Sequence, residues 1–299
     1  MDMKLSKIGI IGVPYNVSSF GSGTDKSPEA LRKTGIVDAL KKISVKVDDL
    51  GDLETELPFT NINNPKLRNP EQVVVLCRTL ATRIQSAVED GYFPFVIGGD
   101  DSVLMGIIEG SKRALGDRIG LIYMDAHGDF NVPETTPSGT IGGMDVAITA
   151  GRGARELVEM FDYFPILHEE NIVLCGVRDL DEMEKMALTE SKVRVYTRKA
   201  LKTLGVEQTV KNMLRDLQHV CDKVFLHVDI DVLDASVISA QALTVPDGLS
   251  SKEFQKTLQM LMESDRLCGI SLMMFDAAKD HDGKEARKLV KLVTHALRG

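Results

Sequence analysis

IGLIYMDAHGD, residues 119–129, begins as an uncharged run and ends on Asp125, His127 and Asp129. Consecutive apolar residues describe a strand buried on both faces, the pattern of a parallel sheet. Alternate residues leaving such a strand project to one side, so three polar groups spaced by two can approach one point. KVFLHVDID at 223–231 repeats the design and delivers Asp229 and Asp231. Three further runs also end in polar turns: FPFVIGGDDS (93–102), NIVLCGVRDLD (171–181) and CGISLMMFD (268–276). In an open parallel sheet, ligands bind beyond the carboxyl ends of the strands. Five such turns are therefore expected on one rim.

Working outward, eight strand-like runs are predicted: Lys7–Val13, Ser44–Leu50, Phe93–Gly98, Ile119–Met124, Asn171–Val177, Lys192–Tyr196, Lys223–Ile230 and Cys268–Met274. Helical spacing fills much of the remainder, at Pro70–Asp90, Ser102–Leu115, Leu204–His219, Ser251–Ser264 and Gly283–Leu297. Strands alternating with helices predict an α/β fold, a parallel sheet with helices on both faces. With no linker-like stretch or repeat, residues 1–299 are read as a single domain.

Composition narrows the function. A hydrophobic share of 43% is enough to bury a large core without disulfides. The net charge of −8 excludes the basic face a nucleic acid needs and suits a cationic small molecule. The N-terminal apolar run is short, ends at Pro14 and lacks a small-residue cleavage site, and no run is long enough to span a bilayer. Cys77, Cys175, Cys221 and Cys268 are widely spaced, which predicts free thiols in the cytoplasm rather than a thiolate metal site.

The acidic turns carry the chemistry. Asp125, His127, Asp129, Asp229 and Asp231 would repel one another in a crevice of low polarity without a counter-charge. Divalent ions supply one, and carboxylates with one imidazole suit Mn²⁺ or Mg²⁺. Two ions sharing carboxylates can lower the pKa of a water held between them. The competing reading makes these residues ordinary helix caps, and it weakens when both motifs sit at strand ends. In GGDDS, the bland reading is a helix cap by Asp100 or Asp101, and the functional reading takes Asp101 to the metal cluster. Adjacent aspartates argue against a phosphate loop there. Asp181 is a candidate to grip an ammonium group, and Asn131, Thr136 and Ser138 are candidate donors to a carboxylate. His227, on the strand leading to Asp229, reads as a core histidine, and His168, His219, His281 and His295 as surface residues.

The succession GGDDS, DAHGD, DIDVLD resembles the ureohydrolases (arginase, agmatinase and formimidoylglutamase), and among these most resembles the arginases. IGIIGVPYN with the later GSGTDKSPEALRKTGIVDAL, NVPETTPSG at 131–139 and VRDLD at 177–181 extend the likeness along the chain. The resemblance implies a three-layer α/β/α sandwich with an eight-stranded parallel sheet and two Mn²⁺ ions, with Mg²⁺ or another divalent metal as the alternative. Asp125 and Asp229 would bridge the ions, Asp129 would join one, and His127 and Asp231 the other. Asn131 and Ser138 would hold an α-carboxylate and Asp181 an α-amino group. The implied activity is C–N hydrolysis of a guanidino or amidino group on an amino acid, with Asp129 as the catalytic proton carrier. A trimer or hexamer is also implied.

Three departures stand against this pattern. The family's GGDHS has a metal-binding histidine where this chain has Asp101. A histidine of the substrate loop is replaced by Gly142, and the glutamate that pairs with guanidinium aligns with Met274. The Ser239–Leu243 loop also lacks the family's Pro- and Gly-rich sequence. The alternative function is thus an arginase-like binding or regulatory protein with altered or lost catalysis. A structural assembly protein would leave the five coincident turns unexplained.

Overall fold

The computed structural model describes residues 7–19, 23–44, 46–58 and 64–298. Gly21 and Ser22 of the N-terminal motif, and Val45 of the second expected strand, lie outside them. Eight parallel strands form one sheet: β1 (Lys7–Val13), β2 (Lys46–Asp52), β3 (Phe93–Gly98), β4 (Ile119–Met124), β5 (Ile172–Cys175), β6 (Arg194–Tyr196), β7 (Lys223–Asp229) and β8 (Leu267–Met273). Their spatial order is β2-β1-β3-β8-β7-β4-β5-β6. The five strands whose turns looked functional, β3-β8-β7-β4-β5, are therefore consecutive neighbours. That adjacency is what lets residues far apart in sequence share one rim.

Each central strand is apolar on both faces because both are covered. On one side Ile122, Met124, Leu226 and Val228 pack with α1 (Ser27–Lys33), α2 (Ile36–Lys41), α8 (Arg198–Leu204), α9 (Val206–Leu217), α10 (Ser251–Glu263) and α11 (Lys284–Ala296). On the other, Leu121, Tyr123, Leu174 and Phe225 pack with α3 (Pro70–Glu89), α4 (Leu104–Leu115), α5 (Asp145–Thr149), α6 (Arg155–Val158) and α7 (Glu182–Glu190). All six residues of β4 are buried. Full burial of such side chains contributes about 1.5–3 kcal/mol each, so the strands carrying the polar turns are the most firmly anchored.

The structure corrects several boundaries. The helix expected over Leu204–His219 is broken at Gly205, whose φ of +78° suits glycine and ends α8 before α9 begins. β2 lies two residues later than expected, and β6 is three residues long. Both are edge strands whose half-exposed faces weaken the apolar signal. β5 is trimmed to Ile172–Cys175, and β7 ends at Asp229, where a tight turn begins. Among the described residues no helix is long and apolar enough to cross a membrane.

Candidate active site

At the end of β4, Asp125 is fully buried. Its Oδ1 accepts the His127 backbone N–H at 2.6 Å and lies 3.1 Å from His127 Nδ1. At the end of β7, Asp229 accepts the Asp231 N–H at 2.7 Å, and Asp231 Oδ1 accepts the Ala126 N–H at 3.0 Å. The two acidic turns are thus tied to each other. Arg178 adds a third tie, since its Nη2 donates to Asp231 O at 2.6 Å while its backbone N–H donates to Ala126 O.

The adjacent aspartates after β3 divide their work. Asp100 is a local staple that accepts the N–H groups of Ser18, Ser19 and Ser102. Asp101 turns inward, its Oδ1 2.9 Å from His227 Nε2. The preceding Gly99 allows this turn, because a Cβ there would lie 1.7 Å from Tyr15 O.

Two groups of potential ligand atoms result, Asp125/His127/Asp231 and Asp101/Asp125/Asp229, each with its atoms within 4.8 Å of one another. They share Asp125, the arrangement a pair of ions with a bridging carboxylate requires. Asp125 Oδ2 is buried without a hydrogen-bond partner, and Asp231 Oδ2 makes none despite lying 3.1 Å from His127 Nδ1. Orphaned buried carboxylate oxygens fit hard cations. Burial and neighbouring carboxylates push Asp229 well above the usual range and Asp231 up to about 6. His127 moves the other way from what burial alone would do, because Asp125 and Asp231 raise it to about 12. The residues therefore fit a divalent pair.

Asp129 stands apart from both groups. It lines the same cavity, with a φ of +47°, and its Oδ2 accepts from Tyr123 Oη at 2.6 Å.

The cavity is about 360 Å³. On one wall Asn131 Nδ2 donates to Asp181 Oδ2 at 3.0 Å, and Asn131 Oδ1 accepts from Thr135 at 2.8 Å. Ser138 lines the same wall, its Oγ 2.8 Å from Thr140 Oγ1. The three residues expected to grip a substrate are thus brought to one cavity.

Another part of the lining is different in kind: Gly142, Gly143, Ala242, Leu243 and Met274. Met274 adopts a φ of +62° and is the one positive-φ residue among the described non-glycines that is neither Asn nor Asp. Such a backbone costs on the order of 1–3 kcal/mol unless its surroundings fix it. Here Met274 N–H donates to Gly99 O at 3.0 Å and its carbonyl accepts from Ala242 at 3.1 Å. A Cβ on Gly142 would meet nothing closer than 3.8 Å, so there is open space beside Asp101.

Around the site, sequence reasoning missed two buried acids. Glu184, pushed up to about 7 by burial, lines the cavity and accepts the Phe130 N–H at 2.8 Å and the Asp181 N–H at 3.2 Å. The D-x-x-E spacing from Asp181 was the available signal, a capping box. Asp145, on short α5, lies 3.4 Å from Tyr123 Oη with its Oδ1 unpartnered. Nothing in its sequence context marks it. His227 is a core histidine as expected, with both ring nitrogens partnered, and His168, His219, His281 and His295 are exposed.

The family model "Arginase family" matches residues 6–298. The arginase of Bacillus subtilis (strain 168) is 32% identical over 290 residues, 97% of each chain. A solved arginase from Bacillus cereus superposes with a TM-score of 0.90 at 33% identity, covering 98% of each chain. The formimidoylglutamase of Bacillus subtilis shares the fold at a TM-score of 0.77 and 22% identity, over 98% of this chain and 86% of that one. Matched from end to end in sequence and in backbone, the chain belongs to the arginase family of hydrolases, which act on guanidino and amidino groups.

Proposed function

We propose that this protein uses two Mn²⁺ ions to hydrolyse a C–N bond in the guanidino or amidino group of a small α-amino acid. The observation that carries the reading is the pair of ligand groups sharing Asp125, with Asn131, Ser138 and Asp181 on the wall of the same cavity. Asp101, Asp125 and Asp229 would hold one ion, and Asp125, His127 and Asp231 the other, with Asp129 beside them. When bound, the ions supply Lewis acidity and an activated water.

The chain's own groups do the rest. Asn131 has its carbonyl held by Thr135 and one N–H by Asp181, so its second N–H is available to a substrate carboxylate, and Ser138 adds a hydroxyl. Asp181 offers its carboxylate to the α-amino group. Fixing both ends of the α-carbon leaves the side chain to extend toward the acidic rim and lowers the entropic part of the barrier. Tyr123 Oη holds one oxygen of Asp129, and the other carries a proton toward the departing amine. Glu184 keeps Asp181 in place from behind through the Asp181 N–H.

The reading carries with it a single-domain chain (residues 1–299), a cytoplasmic location and a homo-oligomer, trimer or hexamer. It is tested by measuring urea and ammonia released by Mn²⁺-loaded protein from arginine, agmatine and related compounds. Turnover of an α-amino acid substrate supports it, and no product from any of them sinks it.

A further inference from the structure

Asp101 stands where the family pattern has a ligating histidine, yet an imidazole is still present beside it. β4, β7 and β8 run in register so that Tyr123, His227 and Ser271 are direct neighbours across three strands. All three are fully buried on the same face of the sheet. The His227 ring stacks on Tyr123 with centroids 4.6 Å apart and planes 7° from parallel. Its Nδ1 is 2.9 Å from Ser271 Oγ, and its Nε2 is 2.9 Å from Asp101 Oδ1. With Asp101 ionised, as a metal ligand would be, its carboxylate only accepts, and Nε2 then carries the proton toward it. With both nitrogens engaged and one face stacked, the ring has a single orientation.

We propose that His227, oriented by Ser271, is the positioning residue that holds Asp101 at the metal end of the cavity. An aspartate backed by an imidazole then serves where the family pattern uses one histidine. Asp101, not His227, belongs to the cluster with Asp125 and Asp229. The usual order, in which histidine ligates and a carboxylate stands behind it, is inverted here. The pairing has two consequences. It fixes the carboxylate plane, which is otherwise a soft torsion. It also draws charge from Asp101, offsetting the extra negative charge that an aspartate brings in place of a neutral histidine.

The inference rests on the two-ion reading, and its test does not depend on turnover. Mn²⁺ affinity and stoichiometry are measured by equilibrium dialysis with elemental analysis, and the Mn²⁺ paramagnetic resonance spectrum is recorded, for wild type, His227→Ala, His227→Gln and Ser271→Ala. His227→Ala is expected to weaken one of two ions by about 10–100-fold, the range for partners standing behind metal ligands. The spin-coupled spectrum of a pair should give way to that of a single ion. His227→Gln, which returns an N–H donor, recovers most of the loss, and Ser271→Ala shows a smaller loss in the same direction. Wild-type affinity for both ions in a folded His227→Ala protein overturns the inference, as does a His227→Gln protein no better than the alanine variant. If His227→Ala does not fold, Ser271→Ala decides, and unchanged metal affinity in it counts against the proposal. A wild type that binds two ions with this mutational pattern but releases no product keeps the inference and removes the catalytic reading. Product release with an unaffected His227→Ala does the reverse.

Discussion

Two sets of residues in the lining of one cavity differ in kind. At the rim of β3, β7 and β4, buried acids are held by named partners and two ligand groups share Asp125. In the same lining Met274, Ala242, Leu243 and Gly142 present carbon or nothing at all. The first set needs charge and is built to hold it. The second has no carboxylate where the family resemblance places the partner of a guanidinium. The contrast teaches that acidic turns and apolar turns of one sheet can line a single cavity side by side, Gly142 lying beside Asp101 itself.

Breaking the acidic set should have the largest effect. Asp125→Ala removes the residue common to both ligand groups, so both ions should be lost. Metal-assisted charge stabilisation of several kcal/mol goes with them, a fall of about a thousandfold or more in product release. Elemental analysis alongside the assay checks it, and retention of two ions would break the comparison.

Restoring a carboxylate to the apolar set comes next. Met274→Glu supplies a carboxylate for a cationic head group, and truncating one partner of such a buried pair typically costs about 2–5 kcal/mol. The substitution should raise kcat/KM for arginine by tenfold or more while leaving metal content unchanged. No gain would mean that Met274 does not face the head group.

Metal removal should show in the pH dependence of stability. Asp231 is raised to about 6 by burial and by Asp125, so its contribution is full below the ordinary carboxylate value and is lost as pH rises through about 6. His127, raised to about 12, contributes most below the ordinary histidine value and loses that contribution as pH climbs toward about 12. Both signs agree, so metal-free protein should lose stability from mildly acidic to alkaline pH. Mn²⁺ at a hundredfold excess over its Kd stabilises by about 2.7 kcal/mol. Because ions bind deprotonated ligands, the rise in Tm on adding Mn²⁺ should be larger at pH 8 than at pH 5. Equal rises in calorimetric scans would contradict this.

The smallest effect belongs to the wall that carries Asn131. Asn131→Ala removes one hydrogen bond to a substrate carboxylate, about 1 kcal/mol, or roughly a fivefold rise in KM for amino acids. Agmatine, which lacks the carboxylate, should lose less, through Asp181 alone.

What could be read from the sequence follows the same division. Polar groups that end apolar strands announce themselves, so the clustering of Asp125, His127, Asp229 and Asp231 was legible from spacing. Asp101 was assigned to the cluster from sequence, but what holds Asp100 away from it was not legible, since that depends on where Ser18 and Ser19 sit. The Asp101–His227 contact spans 126 positions and depends on strand order and register, which one-dimensional patterns do not carry. Glu184 hid as an ordinary helix start, and Asp145 on a five-residue helix too short to show periodicity. Edge strands β2 and β6 shifted or shrank because one buried face gives half the signal of two.

The most direct test of the account is product release by wild-type protein loaded with Mn²⁺, read together with its metal content, on arginine and on agmatine. The account predicts two ions per chain and hydrolysis that favours the substrate bearing the α-carboxylate, with arginine itself turned over less efficiently than by the Met274→Glu variant. Two bound ions with no product from either compound, in wild type and variant alike, would contradict it and leave a metal-binding fold without the reaction.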